Sequence, residues 1–371
     1  MAIKISVERD GFIKNLREID MVARGSKNTS TSELAAVVYK AGRLFMRAES
    51  PITILQLVMD VEAGPDEGLF RVAVNTKKLL ACARQCKTNE LNIEVQKTGL
   101  KFGKGIRVAT EEPTMFGRLP EGVSKAERIC EIMNPIPAVE RAAHCLAKET
   151  EVPLTGRCLT IMPTQIMAAW VDQSIVVDCQ FLPRDKMAFV PGKELLRMRH
   201  LGEGLSVRQS KEWFVLRSDS NILAVRIQKM PEFVNKVRRM FESISFVDQI
   251  DLVRDELIVP LKTAETVLGK HAIITCTVKK GKAQWHGEEE GNEFEFLSQA
   301  KVPSGNDYFF GVEIQKFKVA VGNCPFDNIT VKIEELGTEG SVRLHLVDEE
   351  SHEIISLDTI HAVRQITEEL Q

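Results

Sequence analysis

Three basic side chains lie close together on one short predicted helix, at a spacing suited to binding an anion. The stretch FVPGKELLRMRHLGEG (189–204) begins as an apolar strand, turns at Pro191 and Gly192, and continues as a helix that carries Lys193, Arg197 and Arg199. Lysine and arginine form charge-assisted hydrogen bonds with phosphate and carboxylate groups. Because the whole chain has a formal net charge of −3, this local excess of positive charge needs an explanation. For one helix alone, a solvated surface is the better explanation.

The same arrangement recurs twice elsewhere in the chain. FRVAVNTKKLLACARQCKTNELNIEV (70–95) and YFFGVEIQKFKVAVGNCPFDNITVKI (308–333) also read as an apolar strand, a short basic helix, a turn and an alternating strand. Repetition of a unit along a chain indicates an internally repeated structure. The equivalent positions are Val74, Val190 and Val312 in the first strand, and Leu91, Leu205 and Ile329 in the strand after the helix.

An amphipathic helix is predicted ahead of each of these units, at 10–25, 134–150 and 254–270. Pro260 lies within the third, so we expect its first turns to be kinked or separate. Runs that alternate with period two fill the remaining sequence and predict antiparallel strands. The fold class is therefore α+β, with three repeated domains of two helices against antiparallel sheets. The predicted domains are 1–122, 123–243 and 244–371.

Basic residues concentrate on the predicted helices, while acidic residues concentrate outside them. Acidic runs lie at 286–296, 348–353 and 367–370. One helix with this bias is unremarkable, but six helices biased in the same way in a net acidic chain predict one shared basic surface. The basic residues that we assign to it are Lys14, Arg17, Arg24, Lys77, Arg84, Lys87, Arg141, Lys193, Arg197, Arg199, Lys262 and Lys316.

Such a surface suits the backbone of double-stranded DNA better than a single strand. Single-strand binding uses aromatic stacking platforms, and the chain has 2 Tyr and 3 Trp, with no Trp on these helices. Nothing resembles a recognition helix that reads base edges, so sequence-specific binding is not indicated. Purely electrostatic binding is weak, with a Kd of about 10⁻⁴ to 10⁻⁶ M at physiological salt. Long residence on DNA would therefore need topology as well as affinity.

Repeated α+β units with basic helices in an acidic chain resemble the bacterial-type DNA sliding clamp, the beta subunit of the replicative polymerase. The resemblance covers essentially the whole chain. It is carried by the triplication, by ISVERDGF (5–12), by FVPGKELLRMRHLG (189–202) and by GNEFEFLSQAKVPSGNDYFFGVEIQKFKVAV (291–321). It implies a ring-forming, head-to-tail homodimer of six domains whose helices surround duplex DNA, and it implies a DNA polymerase and a clamp-loader ATPase as partners.

The resemblance also assigns residues. It adds Lys27 and Lys148 to the DNA-binding set and points again to Arg24. For the dimer contact, it implies that the first domain of one chain meets the third domain of the other. We expect the basic stretch 100–108 to face the acidic stretch 286–296. The residues assigned to this interface are Lys78, Lys101, Lys104, Ile106, Arg107, Val108, Leu268, Glu288, Glu289, Glu290 and Glu293.

One region departs from the family pattern. Members carry an Asp-Gly-His-Arg-Leu run in the second domain that forms part of a pocket for partner peptides, whereas this chain reads TIMPTQIMAAW (160–170) there. Met162, Trp170, Pro231 and Met240 could line an apolar groove, and an ordinary buried core explains them equally well. The tail 361–371 extends past the family's usual end. The departure indicates a distant member with a partner motif of its own.

An enzyme is the main alternative class, and the sequence does not favour it. Cys145 beside His144 and Cys179 beside Asp178 are neighbours in sequence only, and the histidines lack metal-ligand spacing. We therefore expect no catalytic residue, no metal and no cofactor. With scattered cysteines and no apolar run long enough for a membrane span, we expect a cytoplasmic protein. A non-catalytic scaffold with the same fold, without DNA encirclement, is the second alternative.

Overall fold

The structure is a computed structural model of the chain. It describes residues 3–25, 33–65, 68–96, 98–103, 105–113, 116–133, 135–146, 153–170, 173–183, 186–243, 245–324, 327–334, 343–348, 353–358 and 361–365. For some residues in these ranges, including Trp170, Met240 and the strands after residue 352, the backbone alone is described.

Three segments have the same order of elements: a strand, a helix, four strands, a second helix and three strands. The first consists of β1 (Ile3–Glu8), α1 (Arg9–Arg24), β2 (Leu34–Lys40), β3 (Arg43–Glu49), β4 (Thr53–Asp60), β5 (Leu69–Asn75), α2 (Thr76–Gln85), β6 (Glu90–Gln96), β7 (Gly99–Phe102) and β8 (Ile106–Glu111). A short helix, α3 (Glu121–Ser124), connects it to the second segment.

The second segment consists of β9 (Glu127–Ile132), α4 (Ile136–Ala143), β10 (Cys158–Ile161), β11 (Gln165–Trp170), β12 (Gln173–Asp178), β13 (Ala188–Pro191), α5 (Gly192–Leu195), β14 (Leu205–Gln209), β15 (Trp213–Ser218) and β16 (Asn221–Arg226). Two 3₁₀ helices, Leu154–Arg157 and Leu196–His200, lie before β10 and after α5. A connecting helix, α6 (Glu232–Ser243), follows.

The third segment consists of β17 (Phe246–Val253), α7 (Arg254–Leu268), β18 (Ile273–Lys279), β19 (Lys282–Glu289), β20 (Asn292–Lys301), β21 (Tyr308–Glu313), α8 (Ile314–Asn323), β22 (Asn328–Glu334), β23 (Arg343–Asp348) and β24 (Glu353–Asp358). One more strand, β25 (His361–Gln365), follows. The repeated order confirms the predicted α+β repeat. Val74, Val190 and Val312 lie in β5, β13 and β21, each of which leads directly into a helix.

Helix lengths differ from the sequence predictions in the second and third segments. The helix predicted at 134–150 is helical only over Ile136–Ala143 among its described residues. The helix after β13 has four α-helical residues before it tightens into a 3₁₀ helix. The expectation of a separate segment before Pro260 is wrong, because α7 continues through it. Proline removes one N–H donor there, while buried Leu257 and Leu261 on either side hold the helix against its sheet.

Contacts divide the chain into two compact units. Unit 1 comprises Met1–Ile136 and Ala188–Gln228, and unit 2 comprises Pro137–Met187 and Lys229–Gln371. The middle segment is therefore shared between them. The three-domain division at 1–122, 123–243 and 244–371 stays a prediction based on the repeat.

Unit 1 contains one twelve-stranded sheet in the order β1-β6-β7-β8-β5-β2-β3-β4-β16-β15-β14-β9. Helix α1 packs across β2, β3 and β4. Its buried side chains include Phe12, Leu16 and Ile19, which recur at helical spacing and form the apolar side of the helix. In unit 2 the strands run in the order β10-β11-β12-β24-β23-β22-β17-β20-β19-β18-β21-β25. Trp285 is fully buried there and lies 5.2 Å from the ring of Phe317 on α8.

One pairing rule joins successive segments. The fourth strand of a segment pairs on one side with the last strand of the next segment: β4 of the first segment pairs with β16 of the second. In the same way β12 of the second segment pairs with β24 of the third. The corresponding strands left over are β20 in unit 2 and β8 in unit 1. Within the described residues, Asn292–Ser298 of β20 pair only with β19, and Ile106–Ala109 of β8 pair only with β7.

Candidate nucleic-acid interface

Helix α1 presents a basic stripe on the side opposite its buried side chains. Lys14, Arg17, Met21 and Arg24 are exposed, and at 3.6 residues per turn they fall along one side of the helix. Met21 lies among the basic residues with 43% exposure, and sequence reasoning missed it. The sequence feature that could have identified Met21 was its position four residues after Arg17, on the same side of the helix. The stripe offers three cations and one flexible apolar side chain to a ligand.

Helix α2 adds a second basic stripe and packs against α1. Lys77, Lys78 and Arg84 are exposed, and Lys87 follows just beyond the helix. Leu79, Leu80 and Ala83 form the buried side. Asn75 caps the helix, since its side chain accepts a hydrogen bond from the backbone N–H of Lys78 at 3.0 Å. No acidic residue lies in the first turn of α2, so nothing on the helix itself offsets these cations there.

Two acidic residues of α1 are buried on the flanks of its basic stripe. Asp20 binds Arg24 at 2.5 Å and accepts a hydrogen bond from the Thr76 hydroxyl at 2.7 Å. Glu18 turns to the other flank and is bound by residues of the middle segment. Because both carboxylates are occupied by partners within the protein, they do not cancel the positive charge that Lys14 and Arg17 present.

Arg197 is the partner of Glu18, which corrects its assignment to the DNA-binding set. The Arg197 side chain is buried, with the residue 5% exposed. Its Nη1 donates to Glu18 Oε2 at 3.0 Å, and its Nε donates to Glu194 Oε2 at 2.8 Å. The Thr53 hydroxyl also donates to Glu194 at 2.9 Å. A buried guanidinium held by two carboxylates is not available to a phosphate, so Arg197 has a structural role.

His200 completes this buried cluster. Its Nε2 lies 3.1 Å from Glu18 Oε1, and both side chains are 10% exposed. Burial raises the pKa of Glu18, but hydrogen bonds and charge interactions with His200 and Arg197 outweigh it and lower the pKa below its ordinary value. Glu18 is thus held as a carboxylate that fastens α1 to the 3₁₀ helix Leu196–His200.

The remaining cations of the second segment are placed differently from one another. Lys193 and Arg199 are exposed on either side of buried Arg197, and Arg141 on α4 is half-buried. Lys27 and Lys148 lie outside the described residues.

The helices of unit 2 carry much less available charge than α1 and α2. Lys262 is exposed on α7, beside Val259, which is 66% exposed. On α8, Lys316 is bound to Glu313 at 2.9 Å, and Lys318 is bound to Glu265. The expectation of an equal basic bias on all six helices therefore does not hold. Among the described helices, α1 and α2 have the largest sets of exposed basic residues, with three on each.

Comparison with known proteins gives the fold. No protein-family model and no curated protein matches the sequence. A putative DNA polymerase III beta subunit from Eubacterium rectale matches with a TM-score of 0.79 over 96% of this chain and 99% of that chain, at 13% identity. A Pseudomonas aeruginosa sliding clamp bound to griselimycin gives 0.80 over 97% and 100%, at 13% identity. The Caulobacter crescentus pol III beta gives 0.78 over 97% and 100%, at 11% identity. This protein has the sliding-clamp fold.

In this clamp fold, most of the described residues assigned to a dimer contact lie on β7, on β8 or in the β19–β20 hairpin. On β7 and β8, Lys101 and Ile106 are half-buried and Arg107 is exposed. The Arg107 guanidinium donates a hydrogen bond to the Thr98 hydroxyl. Lys78 is exposed on α2, and Lys104 lies outside the described residues. Glu288, Glu289, Glu290 and Glu293 are exposed around the β19–β20 turn, with His286 Nδ1 3.6 Å from Glu293.

Two apolar members of that set are already buried within the single chain. Val108 is 3% exposed and Leu268 is 6% exposed. Leu268 packs so closely on Gly287 that a Cβ at that glycine would lie 2.7 Å from its Cδ1. Both side chains are therefore packed within the chain and are not exposed to a partner. The exposed surface beside them comes instead from Glu295 and from Leu297, which is 62% exposed, and sequence reasoning missed both.

The suggested partner-peptide groove of the clamp fold is only partly described. Met162 and Pro231 are half-buried, at the end of β10 and before α6. The side chains of Trp170 and Met240 lie outside the described residues. The assignment stays a prediction.

The cysteines do not have the chemistry of nucleophiles. Burial raises the pKa of Cys145 to about 12. Burial also raises the pKa of Cys179 to about 11, against the opposing charge of Arg141. A reactive thiol needs its pKa lowered, so these environments oppose thiolate catalysis. Among the described residues, no group of three or more His, Cys, Asp and Glu side chains is placed to hold a metal ion. Over that same part of the chain, no helix is long and apolar enough to cross a membrane.

Proposed function

We propose that this protein is a DNA sliding clamp. Two copies join head to tail in a ring that encircles duplex DNA without sequence preference. The ring tethers a replicative DNA polymerase, is opened by a clamp-loader ATPase, and works in the cytoplasm at replicating DNA. The protein itself is not catalytic.

The strand-pairing rule is the observation that carries this proposal. The fourth strand of the first segment, β4, pairs with the last strand of the second segment, and the fourth strand of the second segment, β12, pairs with the last strand of the third. Within the described residues, Asn292–Ser298 of β20 and Ile106–Ala109 of β8 each have a strand on one side only. If β20 of one copy pairs with β8 of another, the rule continues unbroken through a second chain and back to the first. Three segments per chain then give six segments in a closed assembly.

The internal repeats also supply a register for that pairing. In β4–β16, Ile54 lies opposite Ala224, and in β12–β24, Ser174 lies opposite Ser356. Counting from the hairpin ends of β20 and β8, the equivalent pairs are Glu293 with Ala109, Phe294 with Val108, and Glu295 with Arg107. This places an acidic and a basic side chain directly opposite each other, a favourable cross-strand pair.

The basic stripes of α1 and α2 support DNA as the ligand. Their cations are exposed, and only Arg24 is paired with one of the buried acids of α1, Asp20. Among the described residues of the two helices, no exposed aromatic residue accompanies them for stacking. Contacts of this kind bind phosphates regardless of sequence and weaken as salt rises. A ring supplies the residence that such weak contacts lack.

Topology is the property to test. The protein, loaded onto nicked circular DNA by its clamp loader, should stay bound through gel filtration at high salt and should be released when the circle is cut at one site. A non-catalytic scaffold with the clamp fold would show equal retention on circular and linear DNA. Equal retention would therefore replace the ring proposal with the scaffold alternative. A second test needs no clamp loader. If two copies are cross-linked into a closed ring in the presence of circular DNA, the ring and the circle should become interlinked.

A further inference from the structure

The face of the unit 1 sheet opposite α1 contains a cavity of about 240 Å³ with two arginines in its walls. Its lining residues are Ala36, Val38, Phe45, Arg47, Gln56, Arg71 and Gly117. It belongs neither to the basic stripes nor to the strand edges. Ligand binding in this cavity would therefore not depend on the proposed function.

Strand register explains why the cavity exists. On β2, Ala36 lies opposite Arg47 of β3, and Val38 lies opposite Arg71 of β5. Residues opposite each other in antiparallel strands share a face, so both arginines rise from the same side of the sheet. Their strands are separated by β2, which is about 10 Å for two strand spacings. The small side chains of Ala36 and Val38 leave the space between the two arginines unfilled.

The connection after β8 closes one side of this space. Phe116 is fully buried against Leu34, Ala36 and Ala73. The backbone carbonyl of the next residue, Gly117, accepts a hydrogen bond from Arg47 Nη2 at 2.7 Å. The Arg47 guanidinium also lies over the Phe116 ring, 6.0 Å from its centroid. Arg47 is therefore fixed in place by the connection, as a binding group needs to be.

The charges around the cavity do not balance. Glu49 lies 3.0 Å from Arg47 Nε, and the two side chains are 24% and 12% exposed. Arg71 is exposed, and among the described residues no carboxylate is paired with it. Burial lowers the pKa of Arg47; Glu49 opposes this, and the like charge of Arg71 adds to it. Of the two guanidinium groups, only that of Arg47 has a paired carboxylate among the described residues, which leaves room for one further negative charge beside Arg71.

We propose that this cavity binds a single carboxylate side chain of an acidic peptide, between Arg47 and Arg71, with an apolar neighbour of that side chain against Val38 and Phe45. A monoanion matches the one missing charge, whereas a phosphate dianion would repel Glu49. The volume is below the usual range of about 300–1,000 Å³ for small-molecule pockets, so it suits a side chain rather than a whole cofactor. Gln56 is neutral, and its side-chain amide already donates a hydrogen bond to the Ser220 carbonyl at 3.0 Å.

The probe is an end-capped peptide, Leu-Glu-Leu flanked by glycines, titrated calorimetrically into the full-length protein at low salt. Its Leu-Gln-Leu counterpart and inorganic phosphate serve as the comparison ligands. We expect saturable binding of the Glu peptide, and at least about fivefold weaker binding of the Gln peptide, the range of an exposed ion pair and its hydrogen bonds. Phosphate should displace the peptide poorly.

Arg71→Gln is the informative variant, because Arg71 is exposed and its loss should leave the fold intact, as thermal unfolding can verify. We expect it to weaken the Glu peptide about fivefold. Lys40→Gln removes the same charge from the end of β2, outside the cavity, and should change affinity less than twofold. Equal losses in both variants would reduce the effect to net charge and overturn the proposal. Equal binding of the Glu and Gln peptides, or equal binding of phosphate, would overturn it as well.

Discussion

Residue identity alone did not separate a ligand-binding arginine from a structural one. Lys193, Arg197 and Arg199 lie on one short segment, yet only Arg197 points into the protein. Its partner Glu18 is 179 residues away in sequence, a pairing that no local pattern could predict. The nearer partner, Glu194, did give a local signal, because it lies three residues earlier on the same helical turn.

The cluster of Glu18, Arg197, Glu194 and His200 should make stability depend on pH. The pKa of Glu18 is lowered in the folded protein from its ordinary value of 4.5. A lowered carboxyl pKa contributes stability that is fully present above pH 4.5 and is lost as pH falls through the folded value. We expect Glu18→Gln to lower the free energy of unfolding by about 3 kcal/mol at pH 7, because it removes one partner of a buried ion pair.

Chemical denaturation between pH 3 and pH 7 checks this prediction. The difference between wild type and Glu18→Gln should shrink steadily below pH 4.5. Asp248, whose pKa is also lowered through hydrogen bonds from Ser304 and Tyr308 despite the opposing effect of burial, contributes equally to both proteins and cancels. Glu203→Gln, an exposed carboxylate just after the same 3₁₀ helix, is the control and should change little. A difference that stays constant with pH would contradict the assignment.

At the scale of elements, the order of strands and helices followed from the sequence better than their lengths did. Period-two and helical patterns, with turn residues between them, predicted the repeat of two helices per segment. Lengths depended on packing: α5 gives way to a 3₁₀ helix where Arg197 turns inward, and α7 passes through Pro260 because both halves are anchored. Which strand edges stay unpaired is a property of the assembled sheet, and single strands give no sign of it.

The proposed β8–β20 register makes a specific prediction about assembly. Arg107→Glu would place two acidic side chains opposite each other and should shift the protein toward monomer in sedimentation velocity. Glu295→Arg alone should do the same. The double variant restores an opposite-charge pair and should recover much of the dimer, since like charges directly opposite are destabilising and opposite charges are not.

Lys211→Glu is the matched control, because it reverses an exposed cation in the β14–β15 turn, away from both edges. It should sediment as wild type does. Failure of the double variant to recover any dimer, while both single variants dissociate, would leave the edges in contact but reject this register.

At the scale of the whole molecule, net charge was a poor guide and charge distribution a better one. The chain has a formal charge of −3, yet α1 and α2 each present three exposed basic residues, while Lys316 and Lys318 of α8 are bound by Glu313 and Glu265. The sequence could predict a basic surface. It could not predict the imbalance between units, because that depends on which lysines find carboxylates across the packed helices.

Salt dependence tests where DNA makes contact. Lys14→Gln with Arg17→Gln removes two exposed cations of α1. If both contact phosphates, the slope of log K against log salt for a short duplex should decrease in magnitude by about 1.8. Lys279→Gln with Lys280→Gln removes the same charge from the β18–β19 turn and should leave the slope nearly unchanged. Equal changes in both variants would contradict a binding face on α1.

The edges of β8 and β20 also determine which incorrect assemblies the protein could form. They differ in charge, so each is suited to the other and not to itself, which makes the contact directional. A directional contact closes on two copies only when each chain turns through a half circle; other angles that divide a full circle close larger rings, and the remaining angles lead to an open filament. The helices α3 and α6 connect successive segments along the chain. Lengthening or stiffening one of them could therefore turn a closed pair into a growing polymer without altering a single contact residue.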